Sequence, residues 1–245
     1  MKFIGIIPAR YESTRFPGKP LADINGKPMI QRVYENVAGE LSGVWVATDD
    51  QRIFDAVARF GGKAILTSTA HRSGTDRVAE AAEIISANTD FDVVVNIQGD
   101  EPFVSGGQIR ALKECFSDET EIATLVRIIE EINELFDQNK PKVVVSDNKN
   151  ALYFSRSTIP FLRGVEKDEW LREATFYAHV GIYAYRKDIL KKLSELKPGI
   201  LEQAESLEQL RWLENGFSIK TAVTDYSGFG IDTPEDLARA LQLFE

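Results

Sequence analysis

Four short apolar runs alternate with three amphipathic stretches in the first hundred residues, and few folds accept that order. Phe3–Ile7, Gly43–Ala47, Ala64–Leu66 and Asp92–Ile97 read as strands, the last of them the most apolar. Between them, Pro28–Val37 puts Met29, Ile30, Val33 and Val37 on one side. Asp50–Phe60 repeats Ile53, Phe54, Val57 and Phe60 at helical spacing before Gly61-Gly62, and Thr75–Ser86 is alanine-rich. Apolar strands joined through helices predict right-handed crossovers and a mostly parallel central sheet with helices on both faces. Ligands of such sheets bind beyond the carboxyl ends of the strands. The loops after Ile7, Ala47, Leu66 and Ile97 are therefore expected along one edge.

Past residue 105 the pattern changes. A helix near Gln108–Phe116 and a strand at Ile122–Ile128 lead to Lys142–Ser146 and Ala151–Ser155, two strand-like runs joined by Asp147-Asn148-Lys149-Asn150. His179–Tyr185 reads as a strand, and Lys187–Leu196 and Glu202–Glu214 as helices. Ser218–Val223 and Pro234–Phe244 close the chain as strand and helix. With no repeat and no linker, residues 1–245 read as a single α/β domain whose inserted second half is partly antiparallel.

The rarity of soft ligands narrows the chemistry. One cysteine, Cys115, excludes a disulfide framework and a cysteine-rich zinc site, and two histidines, His71 and His179, make poor metal ligands in number. A metal here is expected on carboxylates, which favours magnesium or calcium. The apolar start is too short for a signal segment and no run spans a membrane, so a cytoplasmic protein without a membrane partner is expected. A net charge of −9 argues against nucleic acid. Yet residues 1–19 carry Lys2, Arg10, Arg15 and Lys19 against Glu12 alone, which points to a small anionic ligand.

That basic island lies in the loop after the first strand, Pro8-Ala9-Arg10-Tyr11-Glu12-Ser13-Thr14-Arg15-Phe16-Pro17-Gly18-Lys19-Pro20-Leu21. It lacks the glycine spacing of dinucleotide and P-loop sites, so a dehydrogenase has no fingerprint here. Three cations in a loop also describe a solvated surface. At the ligand edge of a parallel sheet, however, backbone amides and cations together suit a polyphosphate. Two further loops fall at the same edge. His71-Arg72-Ser73-Gly74-Thr75-Asp76-Arg77 follows the third strand, and Ser73 or Thr75 can cap the next helix. Asn96-Ile97-Gln98-Gly99-Asp100-Glu101-Pro102 follows the fourth; Gly99-Asp100 fits either a tight turn or a carboxylate beside phosphates. Near the end of the chain, Gly230-Ile231-Asp232-Thr233-Pro234-Glu235-Asp236 precedes the last helix. Pro234 suits the first helical position, which makes Thr233 the cap and Asp236 its reciprocal partner. Asp232 is then not needed as a cap and can serve a metal; the bland alternative is that Asp232 itself caps the helix.

These segments together resemble the sugar nucleotidyltransferases that activate acidic sugars, most nearly the CMP-KDO synthetase (3-deoxy-manno-octulosonate cytidylyltransferase) family. The likeness covers nearly the whole chain. Its first motif, P-A-R-Y-x-S-T-R-x-P-G-K-P-L, departs here only at Glu12 and Phe16, where alanine and leucine are common, and neither change removes a cation. The resemblance implies a Rossmann-like nucleotidyltransferase (GT-A-like) fold. It implies a nucleotide-binding part at about residues 1–125 plus 217–245, and a sugar-binding and dimerisation part at about 126–216. Pro8, Ala9, Arg10, Arg15, Lys19, Arg72, Ser73 and Gln98 would bind CTP. Asp100 and Asp232 would hold Mg²⁺, with Arg10 and Lys19 sharing the catalytic work. Tyr153-Phe154-Ser155-Arg156, His179-Val180-Gly181-Ile182-Tyr183 and Leu207-Glu208-Gln209-Leu210-Arg211 match the family's remaining motifs. Arg156, His179, Tyr183, Glu208 and Gln209 would then surround the sugar acid. The implied reaction moves CMP from CTP to KDO, a step of lipopolysaccharide biosynthesis, in a homodimer. The alternatives are a cytidylyltransferase for another acidic sugar, such as 8-amino-KDO or a nonulosonate, and a non-catalytic nucleotide-binding module.

Overall fold

The computed structural model describes residues 1–71, 73–226 and 230–243. Within them the chain is mixed α/β and groups into two compact units. Of the described residues, the first takes in 1–71, 73–110, 184–194 and 230–243; the second takes in 111–183 and 195–226.

The first unit is built on four parallel strands. Phe3–Ala9 lies at the centre, paired with Val44–Thr48 on one side and Val93–Asn96 on the other, and Lys63–Leu66 pairs beyond Val44–Thr48. The two central strands are apolar on both faces: Ile4, Ile6, Ile7, Val93, Val94 and Val95 have no exposed surface. The helices Met29–Ala38, Gln51–Arg59 and Gly74–Ser86 fall where periodicity places them, each within two residues. Asp50 caps the second through a bond from the Arg52 amide, and Gly61 follows it at φ 77°. Pro28 belongs to a two-residue strand before the first of these helices, not to the helix. Gly106–Glu114 starts two residues before the expected Gln108.

In the second unit, Ile122–Ile128 pairs in parallel with Ile219–Val223. Lys142–Val145 and Ala151–Ser155 form the expected antiparallel hairpin, with Lys149 in its turn at φ 61°. Tyr177–Arg186 is longer than the alternation suggested and pairs antiparallel with Lys142–Val145 at its start. Two short helices were not legible, Ile132–Leu135 and Trp170–Glu173. Both close over a core of Ile129, Leu135, Trp170, Phe176 and Ala178.

One helix is corrected. Glu202–Glu214 breaks at Ser206, which takes φ 51°, giving Ile200–Glu205 and Gln209–Glu214. The break turns the second piece so that Gln209 and Trp212 are buried with Leu210, while Leu213 is half-buried. Arg211 ties the two pieces together, its guanidinium forking onto both carboxylate oxygens of Glu202 at 2.7 and 2.8 Å.

Candidate active site

The first loop closes on itself. The Gly18 amide donates to the Tyr11 carbonyl at 2.8 Å, and Lys19 opens a 3-10 turn, Lys19–Leu21. Gly18 sits at φ 74° against the Tyr11 ring, a conformation that strains any side chain. Phe16 and Ala22 pack against Ile24, Met29, Ile231 and Ala240. Apolar packing thereby seats the loop beside the segment that carries Asp232.

A second link works from the fourth strand. The Ile231 amide donates to the Asp100 carbonyl at 2.9 Å. Gly99 lets that turn pass close to the first loop, since a Cβ there would lie 2.9 Å from the Pro8 carbonyl oxygen. The expected cap is also present: Thr233 Oγ1 accepts from the Asp236 amide at 3.2 Å, and Asp236 Oδ2 accepts from the Thr233 amide at 3.0 Å. The Asp232 carboxylate is thus spared from capping.

The outcome is a pocket of about 450 Å³ lined by Pro8, Ala9, Arg10, Arg15, Lys19, Gln98, Asp100 and Asp232, with Gly74 and Arg77 in its wall. Residues 81 and 213 positions from Lys19 meet at its ammonium. Lys19 Nζ donates to Asp100 Oδ2 at 2.7 Å and to Asp232 Oδ1 at 3.1 Å. Arg15 Nη2 lies 3.1 Å from Asp232 Oδ2. The two acids therefore share one cation now, and their oxygens suit a hard divalent ion. Among the described residues no group of three or more His, Cys, Asp or Glu could hold a metal. A divalent ion held by this pair would have to complete its shell from waters and phosphate oxygens, as magnesium does.

Of the third loop, Arg72 lies outside the described residues. Ser73 is the cap of Gly74–Ser86 in a reciprocal box with Asp76, so its oxygen already accepts one bond from the Asp76 amide. His71 Nε2 bonds Glu80, whose carboxylate also accepts from the Ser68 amide at 2.8 Å, so His71 pins this loop to its helix. Sequence reasoning missed Arg77. Its side chain is 1% exposed, donates to Thr67 Oγ1 and Asp49 Oδ2 at 2.6 Å each, and leaves Nε buried without a partner among the described residues. A helical arginine looks like surface charge in a sequence; nothing local marks it as buried.

The second unit holds the expected sugar residues. The His179 ring lies 5.2 Å from that of Tyr183, which meets Trp212 edge-on at 5.0 Å. Trp212 is three positions beyond Gln209, whose Nε2 is buried with no partner among the described residues. Glu208 Oε1 accepts from Arg211 at 3.3 Å. The Arg156 guanidinium donates to the carbonyls of Glu205, Gln138 and Ser206 at 2.6, 3.1 and 3.3 Å. Among the described residues three of its five N–H donors are so engaged, leaving two for a ligand.

Thr124, also missed, fixes the His179 tautomer. Its hydroxyl has one proton and lies 2.8 Å from the Ile182 carbonyl, so His179 Nε2, 3.1 Å away, must be the donor between them. Burial disfavours the charged ring and pushes its pKa down to about 3. The unfolded chain, with an ordinary histidine, binds more protons through the interval from about 6.5 to 3. Stability from this group is thus full above pH 6.5 and is lost as pH falls below it. His179→Gln is expected to flatten the fall of the melting temperature between pH 6.5 and 5, a slope of up to about 1.4 kcal/mol per pH unit. Melting curves across that range check it, and parallel curves for both proteins would refute the assignment.

Comparison with known proteins gives one picture. The sequence profile described as cytidylyltransferase matches residues 4–221. A protein of Phocaeicola vulgatus named 3-deoxy-manno-octulosonate cytidylyltransferase is 59% identical over 244 residues, covering 98% of this chain and 96% of its own. One of Parabacteroides distasonis with the same name is 58% identical over 246 residues, covering 98% and 97%. Among solved structures, a CMP:2-keto-3-deoxy-manno-octonic acid synthetase complexed with CTP is 44% identical, covers 100% of this chain and 98% of its own, and superposes with a TM-score of 0.89. No helix among the described residues is long and apolar enough to cross a membrane.

Proposed function

Because the chain belongs to the cytidylyltransferase family, we propose that it transfers CMP from CTP to KDO, 3-deoxy-manno-octulosonate, giving CMP-KDO and pyrophosphate. Near-full-length identity to relatives named for this reaction supports the substrates. The observation that carries the chemistry is the meeting of Asp100, Asp232 and Lys19 in a pocket walled by the cationic first loop.

Phosphoryl transfer asks an enzyme mainly to position the reactants and neutralise charge. Arg10, Arg15 and Lys19 bind the triphosphate and stabilise the departing pyrophosphate. Asp100 and Asp232 hold Mg²⁺, which when bound supplies Lewis acidity and charge neutralisation at the phosphates. Pro8, Ala9 and Gln98 shape the nucleotide pocket. In the second unit, Arg156 offers to the sugar carboxylate the two N–H donors unspent among the described residues, and Gln209 offers a buried amide nitrogen without a partner among them. His179, neutral and donating through Nε2, presents Nδ1 as an acceptor for a sugar hydroxyl.

Pyrophosphate release from CTP, measured with and without KDO and Mg²⁺, tests this reading. Release that needs all three supports it. Release with another acidic sugar in competition with KDO would replace the sugar, and no release at all would leave a nucleotide-binding module. We also propose a cytoplasmic homodimer. The second unit, which the family resemblance gives as the dimerisation part, exposes Phe161 71%, Ile200 82% and Leu152 59%. Cell fractionation and sedimentation equilibrium test the two points, and a membrane-bound or monomeric protein would overturn them.

A further inference from the structure

The structure puts Lys19 where a divalent ion would have to go. Its ammonium lies 2.7 Å from Asp100 Oδ2 and 3.1 Å from Asp232 Oδ1, and its side chain is only 13% exposed. An ion ligated by both carboxylates needs those same oxygens, and a cation held beside it repels it. Arg15 also pairs with Asp232, but at 64% exposure that contact is largely screened by water.

We infer that Lys19 is a displaceable counter-ion: it holds Asp100 and Asp232 together and closed to metal in the free protein, and the nucleotide's triphosphate draws it off to open the pair. This rests on the proposed CTP and metal reading. The backbone of Lys19 is fixed by its 3-10 turn, whereas its four-carbon stem is free to swing between carboxylate and phosphate. Two carboxylates with no third protein ligand among the described residues make a weak magnesium site on their own, so phosphate oxygens are needed in any case. Displacement of Lys19 and arrival of those oxygens happen in one event. The metal therefore enters with the nucleotide or after it, never ahead of it.

Manganese titrations followed by electron paramagnetic resonance test this directly. The proteins are wild type, Lys19→Met, Lys19→Arg and the double variant Lys19→Met with Asp100→Asn. Without nucleotide, Lys19→Met is expected to bind Mn²⁺ at least about tenfold more tightly than wild type, the scale of removing a unit charge from a half-solvated site. Lys19→Arg keeps the charge and should stay as weak as wild type. A CTP analogue with a methylene bridge between the α- and β-phosphorus should tighten Mn²⁺ binding more in wild type than in Lys19→Met. Melting curves give a second reading, with Mn²⁺ raising the melting temperature of Lys19→Met more than that of wild type. If methionine prevents folding, Lys19→Gln carries the same expectation. Equal nucleotide-free affinity in wild type and Lys19→Met overturns the inference. Tight binding that survives Asp100→Asn places the ion away from the acids, and that result overturns the metal assignment itself.

Discussion

Asp100→Asn is expected to lower turnover by at least about 100-fold at saturating CTP, KDO and Mg²⁺, the scale of losing one strong electrostatic contact in a transition state. The replacement keeps the shape of the side chain and removes its charge. Asp100 follows Gly99 at the end of the most buried strand, and its carbonyl is held by the Ile231 amide. Those backbone constraints do not depend on the carboxylate, so the variant should fold normally. Its side chain is 33% exposed, which also argues for a small effect on stability. The loss should therefore appear in kcat and persist when every substrate is saturating. Initial rates with a coupled pyrophosphate assay measure it. Near-normal turnover at high magnesium would show that Asp100 does not serve the metal.

The largest effect on stability is expected from Arg77→Ala. Removing one partner of a buried ion pair costs about 3–5 kcal/mol, because the other charge is left desolvated and unpaired. Here Asp49, 16% exposed, loses its guanidinium, Thr67 loses its donor, and the space of a fully buried side chain is emptied. For a chain of this length that corresponds to a melting temperature lower by about 10 °C. Replacing both Arg77 and Asp49 by leucine should recover part of the loss, since no charge is then stranded. Differential scanning calorimetry of the two variants decides it; a drop under about 2 °C for Arg77→Ala would mean that Asp49 finds water or another partner.

What the sequence disclosed and what it hid divide along the range of the interactions. The parallel strands of the first unit were legible because apolar runs and helical spacing are local patterns. The cap at Thr233 and Asp236 was legible because both partners lie within one turn, and its solution correctly left Asp232 unspent. The break at Ser206 was not legible. Leucines keep helical spacing across it, and no glycine or proline marks it; the Leu207 amide simply bonds back to Glu202. Arg77 was missed for a related reason: a polar residue on a helix reads as solvent-facing until its tertiary neighbours are known. The residues that would line a nucleotide pocket were named from motif and resemblance. That Lys19 would be the group joining Asp100 to Asp232 depends on packing of Phe16 against the cluster that holds Ile231, which no window of sequence displays.

A crystal grown with Mn²⁺ and the methylene-bridged CTP analogue, examined by anomalous scattering, goes to the core of the matter. A manganese peak is expected within about 2.2 Å of a carboxylate oxygen from both Asp100 and Asp232, with the Lys19 ammonium moved onto the phosphates. A peak bound by neither acid, with Lys19 still bridging them, would contradict the assignment of this pocket as the site of metal-assisted CMP transfer.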